Sequence, residues 1–170
     1  GPRQAWKTHV DVTCVVDDED RPPRHDCEDP MDLQPLMPLT LDEWIDQAPT
    51  LDTDSDLIEH TYRRGMLDLA SLRFRPMKEL EWSLPAAGLP WFMALFGRDS
   101  LITAYQALPF QPRLGATTLQ ALAAHQATDD DAYRDAEPGK ILHELRRGEL
   151  ATLGEVPHTP YFGSHDSTPL

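Results

Sequence analysis

Cysteine is nearly absent: Cys14 and Cys27 are the only two in 170 residues. Two thiols do not make the disulfide framework of a small secreted domain, and they supply too few ligands for a thiolate metal cluster. Positive charge is scarce as well. Fifteen Lys and Arg face 29 Asp and Glu, for a net charge of −14. Such a chain lacks the positive face that nucleic acid or an anionic membrane requires. No apolar run approaches the roughly 18 residues of a membrane span. No charged segment followed by an apolar one opens the chain as a secretory leader would. A cytoplasmic protein without nucleic-acid or membrane partners is the expectation. The chain also has no Gly-rich phosphate loop and no Gly-x-Ser-x-Gly elbow, and neither Cys has a neighbouring His to make it a nucleophile. His143 has no second His or Cys at ligand spacing, so no metal and no cofactor is expected.

Proline, by contrast, is abundant, with 16 residues against 40% hydrophobic ones. That balance is loop-heavy and predicts a piece of a larger body. The chain does not begin with Met, and residues preceding Gly1 are expected. Residues 6–16, with Val10, Val12, Val15 and Val16, read as a strand. Residues 17–38 are polar and acidic and read as a linker. The first domain, 1–38, is thus expected to be the end of an upstream β domain. The second, 39–170, is expected to be mainly α.

Thr40 and Glu43 have capping-box spacing, which predicts a short helix. A long helix is predicted over 54–75, with Leu57, Ile58, Tyr62, Met66, Leu69, Ala70 and Leu72 inward and Pro76 as its stop. Residues 77–96 read as loop. A helix opening at Asp99 or Ser100 would turn Leu101, Ile102, Tyr105 and Leu108 to one side. Another, from Pro112, would bury Leu114, Thr118, Leu119 and Leu122. Residues 128–139 form an acidic loop, and 141–163 are expected to hold short strands or a hairpin around Arg147-Gly148.

Three clusters could carry chemistry. Arg98 and Asp99 follow Trp91, Phe92, Met93 and Phe96. Asp99 reads either as a helix cap or, with Arg98, as a pair that donates to and accepts from vicinal sugar hydroxyls beside the Trp91 platform. Lys140, His143 and Glu144 follow the Pro138-Gly139 turn and read as a polar pocket lining or a solvated loop. Asp166 sits among Tyr161, Phe162, Gly163 and His165. It reads as a turn residue or as a carboxyl whose pKa is raised by aromatic surroundings, fit to be a general acid.

These clusters also carry a resemblance. Gly88-Leu89-Pro90-Trp91-Phe92-Met93-Ala94-Leu95-Phe96-Gly97-Arg98-Asp99-Ser100 resembles the opening signature of the catalytic domain in bacterial amylo-α-1,6-glucosidases, the glycogen debranching family. Asp135-Ala136-Glu137-Pro138-Gly139-Lys140-Ile141-Leu142-His143-Glu144-Leu145-Arg146 continues it, as do the residues from Pro157 through Tyr161 and Asp166 to Leu170. The strong similarity covers about residues 86–170. Residues 5–75 are more weakly similar to the end of that family's β-sandwich domain and the first helix of its catalytic domain.

The resemblance implies the first part of an (α/α)6 toroid, preceded by a strand of an upstream β-sandwich. It implies a glycoside hydrolase acting on α-1,6-linked branches of glycogen or a related α-glucan. In that reading Arg98 and Asp99 hold the terminal glucose, and Trp91, Phe96, Lys140, His143, Glu144 and Tyr161 line the substrate site. Asp166 is the general acid of an inverting pair whose general base lies beyond Leu170, in the rest of the parent polypeptide. The alternatives are a non-catalytic carbohydrate-binding domain or a scaffold of helices.

Overall fold

The computed structural model describes residues 8, 10, 14–16, 19–21, 37–76, 80 and 82–170. The chain divides into two units, Gly1–Leu36 and Met37–Leu170. In the first, strand β1 (Cys14–Val16) pairs antiparallel with β2 (Glu19–Arg21), in the register Cys14↔Arg21, Val15↔Asp20 and Val16↔Glu19. The second strand corrects the expectation of a linker from residue 17 onward. Glu and Asp are poor strand formers, but the ladder is made by backbone groups that every residue but proline carries in full. Much of the predicted 6–16 strand and the rest of the predicted linker up to Leu36 lie outside the described residues.

Among the described residues, the second unit contains five helices and two small antiparallel sheets. Helix α1 (Leu41–Asp46) begins in the predicted capping box: Thr40 Oγ1 accepts from the Glu43 amide, and the Glu43 carboxylate accepts from the Thr40 amide at 2.8 Å. Helix α2 (Asp56–Ser71) is shorter than the predicted 54–75 span. The chain leaves it at Leu72 and forms β3 (Arg73–Phe74), which pairs with β4 (Leu84–Pro85). Trp44 of α1 packs on Met66 and Ala70 of α2 in a small core flanked by Tyr62, Leu69 and Trp82. Leu57 and Ile58, expected inside, are exposed. They lie in the first turn of α2, outside the stretch that packs on α1.

Residues 77–96 are not all loop, for they contain β4 and also β5 (Leu95–Phe96). Helix α3 (Gly97–Ala107) follows directly, and α4 (Pro112–Ala123) carries Pro112 in its first turn as expected. The inward face of α3 differs from the predicted one except at Leu101, which is partly buried and packs against the main core. Ser100, Ala104 and Ala107 are buried, while Ile102, Tyr105 and Leu108 are exposed. Small side chains at i, i+4 and i+7 let a neighbouring element approach closely, and the bulkier residues are left outward. On α4, Leu114, Thr118 and Leu122 are buried as predicted, but Leu119 is exposed. The exposed residues of α3 and α4 line an apolar groove of about 710 Å³.

Strand β6 (Glu144–Leu145) pairs with β5 instead of forming a hairpin at Arg147-Gly148, where a short helix α5 (Glu149–Thr152) starts from Gly148. The main core gathers Leu84, Leu95, Ala121, Leu122, Leu142 and Phe162 from β4, β5, α4 and the C-terminal third. Among the described residues, no helix is long and apolar enough to cross a membrane.

Candidate functional site

The three signature segments meet on one short ladder. Phe96 of β5 pairs with Glu144 of β6, and Glu144 in turn bridges to Tyr161. Around the ladder, the His143 amide donates to the Tyr161 carbonyl at 2.7 Å, and the Tyr161 amide donates to the Glu144 carbonyl at 3.0 Å. Gly97 makes this convergence possible. Its amide donates to the His143 carbonyl at 2.9 Å. A Cβ there would stand 2.1 Å from the Leu142 carbonyl oxygen and 2.8 Å from Ser167 Oγ. Thr168 Oγ1 accepts from the Ile141 amide at 3.1 Å, which ties the third segment to the second.

Beside the ladder, Arg98 lies between two carboxylates. Its Nη1 is 3.1 Å from Asp166 Oδ2, and its Nη2 is 3.6 Å from Asp99 Oδ2. Each of the three side chains keeps a third or more of its surface exposed (45%, 45% and 35% for Arg98, Asp166 and Asp99), so the group is open to a ligand. Asp99 is not the cap of α3: the cap position is Phe96, without a side-chain cap bond, and Asp99 lies in the first turn. A carboxylate there complements the positive end of the helix.

Asp166 departs from the aromatic, proton-retaining setting expected of it. The Ser164 hydroxyl donates to Oδ1 at 2.5 Å and Arg98 donates to Oδ2. Ser164 first, and then Arg98, hold the carboxyl below its usual range despite some opposing desolvation. Ser164 Oγ also accepts from the amides of Asp166 and Ser167, so the whole turn is wound on one hydroxyl.

A row of rings runs along the ladder. Phe92 stands edge-on to Phe96, Phe96 to His143, His143 to Tyr161, and Tyr161 to His158, with centroids 5.5–6.2 Å apart. Glu144, expected at the substrate, is buried beneath this row. Its Oε2 accepts from Arg146 Nε at 2.9 Å and its Oε1 lies 3.1 Å from His158 Nε2. Arg146 in turn stacks 5.3 Å from the Phe96 ring centre and donates to the Trp91 carbonyl at 2.6 Å. Trp91 as a whole is 78% exposed, an open platform on an anchored backbone. Lys140 does not join the group through any side-chain bond: its ammonium binds the Asp135 carbonyl and the Glu137 carboxylate, both at 3.0 Å, inside its own turn.

Of the residues singled out in the sequence, the structure sets Phe96, His143, Glu144 and Tyr161 on one ladder and Arg98, Asp99 and Asp166 in one ion-paired group, while Trp91 is tied to the ladder through its carbonyl. Sequence reasoning missed Ser164, Arg146, His158 and Asp135. Two of these carried a signal. Ser164 precedes Asp166 by two residues, the spacing of a hydroxyl turn. Arg146 follows Glu144 by two, which puts both on one side of an extended strand. His158 and Asp135 lie within the segments that carry the resemblance, but no local spacing singles them out, and only tertiary contacts bring them in.

The arrangement can do two things chemically. The Arg98 guanidinium and the flanking carboxylates can donate to and accept from adjacent hydroxyls, and Trp91 can stack on an apolar sugar face. Among the described residues, no three His, Cys, Asp or Glu side chains gather as a metal cluster. The apolar groove of α3 and α4 carries no carboxylate or cation and lies outside this chemistry. No family model matches the chain, and no curated protein matches it.

Proposed function

We propose that this chain carries the glucose-binding face and the proton donor of a glycoside hydrolase cleaving α-1,6-glucosidic branches of glycogen or related α-glucans. The observation that supports it most is the meeting of the three signature segments on one ladder, with Arg98 set between Asp99 and Asp166. A terminal glucose offers vicinal hydroxyls that match the Arg98 donor and the Asp99 acceptor, and Trp91 offers the wall for its apolar face.

In the resting site Asp166 is a carboxylate satisfied by Ser164 and Arg98. Sugar hydroxyls entering beside Asp99 draw Arg98 away from Asp166 and remove water from the carboxyl. Loss of the cation and desolvation both favour the protonated acid. Asp166 then takes up a proton from solvent and gives it to the glycosidic oxygen as the C1–oxygen bond breaks. Water adds to C1 from the opposite face and loses its proton to a second carboxylate, which an inverting enzyme holds about 6.5–9.5 Å from the acid. The resemblance assigns that base to sequence following this stretch. The same reading makes 39–170 the first part of an (α/α)6 toroid, in which further helices would cover the exposed apolar side of α3 and α4.

One observation favours a second reading, non-catalytic carbohydrate binding: Ser164 and Arg98 keep Asp166 ionised, which suits a hydroxyl acceptor better than an acid. The test is glucose release from a branched dextrin by the parent polypeptide, with isothermal titration against isomaltose. Release abolished by Asp166→Asn supports the hydrolase. Binding that needs Arg98, without any release, supports the second reading. Neither binding nor release sinks both.

A further inference from the structure

Asp135 lies outside the Arg98 group, yet its backbone and carboxylate are both fixed in a way that turns need not require. Its φ is 51°, the left-handed region that few residues other than glycine occupy, Asp and Asn being the most tolerant. The loop around it is closed from several directions. Asp131 and Ala136 exchange two backbone bonds at 3.0 and 2.9 Å. Asp131 Oδ2 accepts from Arg134 Nε at 2.7 Å, the Arg134 carbonyl accepts from the Phe162 amide at 2.8 Å, and the Asp135 carbonyl accepts from Lys140.

This loop delivers Asp135 Oδ2 to the Tyr161 hydroxyl at 2.6 Å. The bond crosses directly in front of Gly163. A Cβ on Gly163 would stand 2.2 Å from the Tyr161 hydroxyl oxygen and 2.8 Å from Asp135 Oδ2. Only a glycine hydrogen fits there. Tyr161 itself is fixed by its backbone bridge to Glu144 and by the rings of His143 and His158.

We propose that Asp135 is a positioning residue that accepts the hydrogen bond of the Tyr161 hydroxyl and so leaves the lone pairs of the phenol oxygen as an acceptor aimed at a hydroxyl of the bound sugar. The proposal rests on the reading of this ladder as the sugar site. A phenol has one proton to donate and lone pairs to accept with. With the proton committed to a carboxylate, a ligand meets only the lone pairs, and the site selects a group that donates. The bond to Asp135, with some desolvation, also resists ionisation of the phenol and raises its pKa.

The test uses the parent polypeptide with isomaltose as probe. Asp135→Gly keeps the left-handed backbone and removes the carboxylate. Asp135→Asn keeps the size and an amide oxygen that still accepts from the phenol. Asp135→Gly and Tyr161→Phe should each weaken isomaltose binding about tenfold, the value of one hydrogen bond. The double variant should be no weaker than either single one, and Asp135→Asn should restore most of the affinity. Ultraviolet titration should show one tyrosine ionising at lower pH in Asp135→Gly than in the wild type. Losses that multiply in the double variant, or an unchanged tyrosine titration, overturn the proposal while the sugar site stands. A wild-type protein that binds no isomaltose overturns the sugar site and this proposal together.

Discussion

Arg98 and Asp166 are 68 positions apart and share a 3.1 Å ion pair. After Ser164, the pair is what holds the residue that the proposed reaction needs as an acid in its charged resting state. Ser164 contributes to the same side chain through a 2.5 Å bond to the other carboxylate oxygen.

Removing either partner should therefore raise the Asp166 pKa. In the wild type it titrates below the ordinary ~3.9 of an aspartate, because Ser164 and Arg98 favour its charged form. The sign for stability follows. A depressed folded-state pKa stabilises the fold above the unfolded-state value, and that contribution is lost as pH falls through the folded-state pKa. Ser164→Ala should move the Asp166 carboxyl resonance upward in an NMR titration and flatten this part of the acid limb of stability. An unshifted titration would show that the short bond does not hold the charge.

Asp166→Asn should lower glucose release from a branched dextrin by roughly 10²–10⁴-fold, the usual value of acid catalysis. Release of fluoride from glucosyl fluoride should change little, because fluoride leaves without a proton. Equal, small losses on both substrates, with an unchanged circular dichroism spectrum, would remove Asp166 from the reaction.

Glu144 should prove structural before it proves a ligand. It accepts from Arg146 and pairs with His158 under the row of rings. Glu144→Ala removes the acceptor of two side chains that are each about a third exposed and can turn to water, so it should cost about 0.5–1.5 kcal/mol, the net value of an intramolecular hydrogen bond. Urea unfolding measures it. A variant of wild-type stability that no longer binds isomaltose would reverse the assignment.

Two glycines should respond oppositely to alanine. Gly97→Ala puts a methyl 2.1 Å from the Leu142 carbonyl, where backbone must move, and should destabilise by about 1–3 kcal/mol. Gly65 lies inside α2 with nothing within 4 Å of the new Cβ. Gly65→Ala should stabilise by about 0.5–1 kcal/mol by restricting the unfolded chain and favouring helix. Thermal unfolding of the two variants separates the effects, and a common direction of change would contradict the close approach at Gly97.

Local chemistry determined what could be read from the sequence. The Thr40–Glu43 capping box, the start of α4 at Pro112 and the central turns of α2 rest on interactions within a few residues. Arg98, Asp99, Tyr161 and Asp166 were legible as residue types in motifs. The sequence did not disclose which face of α3 would be buried, since apolar spacing favoured Leu101, Ile102, Tyr105 and Leu108. Tertiary packing chose Ser100, Ala104 and Ala107, because close approach rewards small side chains more than apolar ones. The β5–β6 pairing and the burial of Glu144 were likewise decided only in the tertiary structure, and the charge state of Asp166 only in part. Glu144 depends on His158, 14 positions away. Asp166 depends first on the nearby Ser164 and then on Arg98, 68 positions away. A carboxylate's surroundings, and so its chemistry, come from groups that the chain brings to it only by folding.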